Sequence, residues 1–133
     1  MLKVMKKKLL VVITMLVVAS GFIFTGSTST KAEDNEVQYL GKYKLTAYCG
    51  CKKRSGKWGT RTASGKKAKQ GRTIAVDKRK IKLGSKVQIN GKTYVAEDVG
   101  GGVKGKHIDV FFKSHKQTKR FGKKTGVKVY KVN

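Results

Sequence analysis

The dipeptide Asn90-Gly91, set between two short runs that alternate in character, constrains the fold of this chain more than any other feature of its sequence. A two-residue turn of type I′ needs positive φ at both central positions, and Asn followed by Gly meets that need. Lys86 to Asn90 and Lys92 to Asp98 are therefore expected to pair as a hairpin. Other segments read as short strands too: Val37 to Tyr48 (one or two strands, broken at Gly41), Thr73 to Val76, His107 to Phe112, and a tail through Val127 and Val129 to Val132. Ser114 with Gln117 three residues on reads as a capping box opening one short helix that ends near Gly122. Cys49 to Lys69 has no steady period and is expected to be loop. Apolar residues make up only 38% of the chain, with 16 Gly and no Pro. About six strands with so little to bury do best closed into a barrel, which removes exposed sheet edges.

The first 32 residues stand outside that fold. Lys3, Lys6, Lys7 and Lys8 precede an apolar run from Leu9 to Phe24, then a Gly/Ser/Thr-rich stretch and Lys31-Ala32. This is the layout of a secretory signal peptide cut after Ala32. The run is shorter than the roughly 20 residues of a spanning helix. Residues 33–44 then form a polar lead-in and first strand, and 45–133 a single domain. The chemistry is expected outside the cytoplasm.

Charge identifies the kind of partner rather than the fold. From Val37 onward lie 27 of the 32 Lys and Arg but only four carboxylates, Asp77, Glu97, Asp98 and Asp109, a net charge of +23. The partner is expected to be polyanionic. For an exported protein, cell-wall polymers and teichoic acids fit better than nucleic acid, and no specific nucleic acid is expected.

Three of the four carboxylates sit where solvation explains them poorly. Asp77 ends the run Thr73-Ile74-Ala75-Val76, and Asp98 opens Val99-Gly100-Gly101-Gly102. Asp109 lies inside the apolar run Ile108 to Phe112. Glu97 is expected to face away from Asp98, because strand neighbours alternate. In order along the chain come Thr62-Ala63-Ser64-Gly65, Gly71-Arg72-Thr73-Ile74-Ala75-Val76-Asp77, Leu83-Gly84-Ser85, Tyr94 to Gly101, Val103-Lys104-Gly105 and Ile108 to Phe112. Together these motifs resemble the 3D (three-aspartate) domain of exported, wall-active proteins of Gram-positive bacteria. They are also similar to the catalytic core of the membrane-bound lytic transglycosylase A family. The resemblance implies an all-β fold, a six-stranded double-psi β-barrel with one short helix near the C-terminus. It implies cleavage of the MurNAc–GlcNAc bond of peptidoglycan with formation of 1,6-anhydro-MurNAc.

The resemblance makes Asp109 the catalytic acid, with Asp98 and Asp77 in support. A hydrolytic glycosidase generally needs two carboxyl groups. When the sugar's own C6 hydroxyl is the nucleophile, one carboxyl can serve as acid and then as base. Neighbouring Lys and Arg favour the ionised Asp, so burial against Phe111 or Phe112, or a proton shared with a nearby Asp98, is expected to oppose them. Thr62, Ser64, Gly65, Gly100, Gly101 and Lys104 are candidate substrate contacts. No metal or cofactor is required. Cys49 and Cys51 could in principle join His107 or His115 as ligands, or bond to each other across a small, strained ring. Some family members carry cysteines where this chain has Arg54 and Ser55, so no metal is assigned. His107 and His115 otherwise read as surface residues, and Trp58 and Tyr48 as packing. Two alternatives stand beside the enzyme: a non-catalytic module that binds or remodels the wall, and a binder of polyanions by charge alone.

Overall fold

The computed structural model describes residues 36–133, and the expected signal peptide lies outside the described residues. Six strands carry the fold: β1 (Val37–Cys49), β2 (Thr73–Val76), β3 (Lys86–Ile89), β4 (Lys92–Asp98), β5 (His107–Phe112) and β6 (Lys124–Val132). Two short helices accompany them, α1 (Lys52–Ser55), which runs into a 3-10 turn at Gly56–Trp58, and α2 (His115–Phe121). The strands hydrogen-bond in a closed ring in the order β1-β5-β2-β4-β3-β6. Two neighbour pairs, β1 with β5 and β2 with β4, run parallel, and the other four run antiparallel.

Local chemistry explains the elements that were legible in sequence. Asn90 and Gly91 adopt φ of 50° and 76°, as the tight hairpin turn requires, and Ile89 pairs with Lys92. The side chain of Ser114 accepts a hydrogen bond from the Gln117 amide, and the Gln117 side chain accepts one from the Ser114 amide. Gly122, at φ 66°, ends that helix.

Val37 to Cys49 is one strand and not two. Gly41, at φ 113°, sits at a register shift in the pairing with β6, so the chain bends there without breaking. Through its first part β1 pairs with β6, and from Lys44 onward it pairs with β5. The stretch expected to be loop, Cys49 to Lys69, contains α1 and the 3-10 turn, neither of which buries a residue.

Alternation along the strands fills the ring. Leu45, Ile74, Val76, Val87, Ala96, Ile108, Val110 and Val129 pack together as one apolar cluster, with Tyr43, Ile81 and Ile89. Residues of the opposite parity (Thr46 and Tyr48 on β1, Ala75 on β2, Asp109 on β5) face outward on one side, under the segment that carries α1. Ile108→Ala is expected to lower unfolding free energy by about 2–5 kcal/mol, a core cavity. Ser114→Ala is expected to cost about 1 kcal/mol, a lost cap. Denaturant titration of both variants measures the contrast.

Candidate functional site

A groove of about 550 Å³ opens on that outer face, and Asp98, Ala75 and Asp109 line it. The register explains why two carboxyl groups meet there. Asp98 of β4 pairs with Ala75 of β2, Ala75 pairs with Asp109 of β5, and Asp109 pairs with Thr46 of β1. The four residues form a lateral row across four neighbouring strands.

A bulge puts Asp98 in that row. Between Ile74 and Ala75, β2 advances one residue while its partners on β4 advance two, from Ala96 to Asp98. Regular pairing would turn Asp98 to the same side as Ala96, inside the ring. Glu97 is the extra residue. Its carboxylate accepts hydrogen bonds from Thr73 Oγ1 at 2.7 Å and from Arg72 Nε at 3.2 Å. Thr73 lies on the same face of β2 as Ala75, so Glu97 and Asp98 both project outward. The expected opposition of these two neighbours fails at the bulge, where alternation is suspended. Glu97 is nonetheless buried and absent from the groove lining.

The three aspartates have different surroundings. Asp109 is half-buried, and burial is the main influence on its carboxyl, raising its pKa. A hydrogen bond from Thr46 at 3.0 Å and the charges of His107 and Arg54 act the other way, and Asp98 adds a smaller upward push. Asp98 accepts hydrogen bonds from the amides of Ala63 (3.0 Å) and Val99 (2.9 Å) and from the Tyr48 hydroxyl (2.9 Å). Burial and the Asp98 carboxylate raise the Tyr48 pKa and keep its phenol protonated as that donor. Among the described residues no hydrogen bond joins Asp98 to Asp109. One strand separates them, so their backbones stand two interstrand spacings apart, roughly 9–10 Å. The expected proton shared between these two aspartates gives way to burial as the dominant cause.

Asp77 does not reach the groove. Its carboxylate is clamped by Arg79 through Nε at 3.0 Å and Nη2 at 2.7 Å, and it accepts the Gly105 amide at 2.9 Å. The Arg79 bonds, followed by the Gly105 and Arg79 amides, hold its pKa well below the usual carboxylate range. It ties the end of β2 to the loop that leads into β5.

The candidate contacts divide. Thr62, Gly100 and Gly101 line the groove, whereas Ser64, Gly65 and Lys104 do not. Ser64 donates its amide to the Glu97 carbonyl, and Gly65 closes a turn on the Thr62 carbonyl. A side chain at Gly100 would meet Val103 Cγ2 at 2.8 Å, so packing alone accounts for that glycine. Arg54, Trp58 and Arg61 line the groove and were not expected there. Trp58 is 62% exposed, against the expectation that it packs, while Tyr48 does pack, edge-on to Phe111 at 5.4 Å. Nothing in the irregular stretch from Cys49 to Lys69 signals in sequence which side chains turn toward the groove.

Cys49 and Cys51 are bonded to each other, with Cα atoms 5.3 Å apart. Their sulfurs and a His115 ring nitrogen lie within 4.8 Å of one another. The bond occupies both sulfurs, leaving the imidazole as the one free ligand of that trio.

Comparison with known proteins adds a family and two relatives. The family model of the 3D domain matches residues 72–133. The chain is 38% identical over 120 residues to YabE of Bacillus subtilis (strain 168), a protein named for cell wall shaping; the match covers 86% of this chain and 28% of YabE. Two crystal structures of MltA from Escherichia coli, a lytic transglycosylase, align over 55% of this chain and 27% of theirs. Their identities are 23% and 21%, and their TM-scores 0.47 and 0.46. The chain thus spans little more than a quarter of the length of these relatives.

The Asp77 clamp makes a prediction with a definite sign. A carboxyl whose folded pKa lies below its unfolded value, about 3.9, stabilises the fold above that pH and loses the contribution as pH falls through the folded pKa. Asp77→Asn is expected to lower the thermal midpoint at pH 7, with the gap from the parent narrowing steadily below about pH 4. Melting curves across pH measure it.

Proposed function

We propose, from the match of residues 72–133 to the 3D-domain family model, that the protein acts on the bacterial cell wall as a peptidoglycan lytic transglycosylase with Asp109 as its acid and base. In this reading it is exported and wall-associated, and glycan strands are its substrate. The ring is then a double-psi barrel, a reading supported by its two parallel pairs in an otherwise antiparallel order. The observation that carries the proposal is Asp109 itself: a half-buried carboxyl, pushed toward its neutral form by burial, on the wall of an open groove.

The reaction needs one proton and returns it. Neutral Asp109 gives its proton to the glycosidic oxygen as the bond from that oxygen to C1 of MurNAc breaks. The C6 hydroxyl oxygen of the same MurNAc bonds to C1, and its proton passes to the Asp109 carboxylate. No water is consumed. Asp98, one strand beyond Ala75, supplies negative charge near the sugar ring as C1 becomes electron-poor. Ala75 keeps the space between the two carboxyl groups clear. Arg54 and Arg61, in place of Lys104, meet the lactyl or peptide carboxylates of the muramyl unit. Exposed Trp58 offers a face for a sugar ring. Asp77 supports the site by tethering the loop that precedes β5.

Asp109→Asn is expected to reduce release of anhydro-muropeptides from purified sacculi at least about a hundredfold, as read by mass spectrometry. Its folding provides a control. A carboxyl whose pKa is raised by folding weakens the fold as pH rises through its unfolded value, so removing it is expected to leave stability at pH 7 equal or higher. Unchanged release by the variant rejects the mechanism. Absence of release by the parent protein favours a wall-binding module without turnover.

The net charge of +23 from Val37 onward gives the proposal a second arm. Contacts between exposed charges are screened within about 8 Å at physiological ionic strength. Sedimentation with walls bearing teichoic acid is expected to fall steeply as salt is raised. Binding that persists at high salt assigns retention to sugar contacts.

A further inference from the structure

His107, which reads in sequence as a surface residue, closes a chain of three hydrogen bonds that ends on Asp109. Its Nδ1 lies 3.1 Å from the Gly102 carbonyl oxygen, and its Nε2 lies 2.7 Å from Thr46 Oγ1. Thr46 Oγ1 lies 3.0 Å from Asp109 Oδ1. Counting protons restricts what this chain of bonds can be. A carbonyl oxygen only accepts, so Nδ1 carries a hydrogen in every arrangement. A threonine hydroxyl has one hydrogen and two neighbours here, so it donates to one of them and accepts from the other.

With one proton to place between Asp109 and His107 Nε2, two arrangements satisfy every bond. In the first, Asp109 is a carboxylate accepting from Thr46, and Thr46 accepts from an imidazolium Nε2–H. In the second, Asp109 is a carboxylic acid donating to Thr46, and Thr46 donates to the bare Nε2 of a neutral imidazole. The two hold the same number of protons and the same net charge. They interconvert when the Nε2 proton moves to Thr46 Oγ1 as the hydroxyl's own proton moves to Asp109 Oδ1. The bond from Nδ1 to Gly102 is untouched.

We propose that His107, acting through the Thr46 hydroxyl, holds in reserve the proton that Asp109 uses. The proposal rests on the reading of Asp109 as the acid and deepens it. His107 is a positioning residue here, since it touches no substrate atom, and Thr46 is the bridge. The device answers the difficulty posed by a basic site. Arg54 on α1 faces Asp109 and favours its ionised form, Asp98 on β4 faces it across Ala75, and Lys44 lies beside His107 in the register of β1 with β5. A lone carboxyl facing Arg54 holds its proton against that charge by burial alone. Paired with His107, it passes the proton to a base two hydrogen bonds away, from which it returns.

The test begins in the resting protein, where no assumption about the reaction enters. The chain has two His, so ¹⁵N imidazole spectra of the parent and of His115→Gln assign His107 directly. Neutral His107 is expected to carry its proton on Nδ1. Thr46→Val keeps the shape and removes the bridge, and is expected to move the Nε2 resonance of His107 toward that of a ring whose Nε2 meets only solvent. A proton on Nε2 of the neutral ring overturns the proposal, and so does an Nε2 resonance unmoved by Thr46→Val. The second measurement is the pH profile of anhydro-muropeptide release. His107→Gln is expected to move its alkaline inflection to lower pH, whereas a merely structural role lowers the whole profile without moving it. If the parent releases no such product, the reading of the reaction fails, and the imidazole spectra still decide the relay.

Discussion

Closure of the ring through β1 is the constraint that governs the other elements. One strand must satisfy β6 running against it and β5 running with it. It does so by spending its first part on one partner and its last part on the other, with Gly41 absorbing the bend. That division leaves the last residues of β1 beside β5, so Thr46 and Tyr48 stand on the outer face next to Asp109. A small apolar core is sufficient because the strands hydrogen-bond on both sides, and few backbone groups are left to seek water.

The carboxyl groups that remain in so basic a chain are separated by environment and not by number. Asp77 and Glu97 are buried against arginines, where they hold the chain together. Asp98 spends its oxygens on Ala63, Val99 and Tyr48, which fixes its position on the groove wall. Asp109 is held by Thr46, makes no ion pair among the described residues, and has burial as the main influence on its carboxyl. Two carboxyl groups of identical chemistry, with one strand between them, thus stand in different surroundings on the wall of one groove.

Much of the fold could be read from local signals. Asn90-Gly91 and the Ser114–Gln117 box each act within a few residues, and both sit where expected. The strands β2, β4 and β5 were legible because their composition and bounds are local too. The bulge at Glu97 was not, because Tyr94 to Asp98 carries no residue that marks an insertion. Its existence depends on the strand that β2 offers opposite it. The bond from His107 to Thr46 spans 61 residues, and no spacing rule in a single sequence reports a contact of that range. Trp58 was misjudged for a related reason: in an irregular segment, exposure is decided by the surface beneath, which the segment does not encode. The three aspartates could be picked out as unusual, yet only the register separates the clamped one from the two on the groove wall.

At Glu97, geometry is written in chain length instead of side-chain identity. Removing Glu97 would give β4 a more regular ladder with β2 and would leave Asp98 opposite Ala75, but it would take away the carboxylate that holds Thr73 and Arg72. A tidier sheet would thus keep both groove carboxyl groups and lose the buried anchor beside them. At this point of the scaffold one inserted amino acid adds an internal tie without displacing its neighbour from the surface.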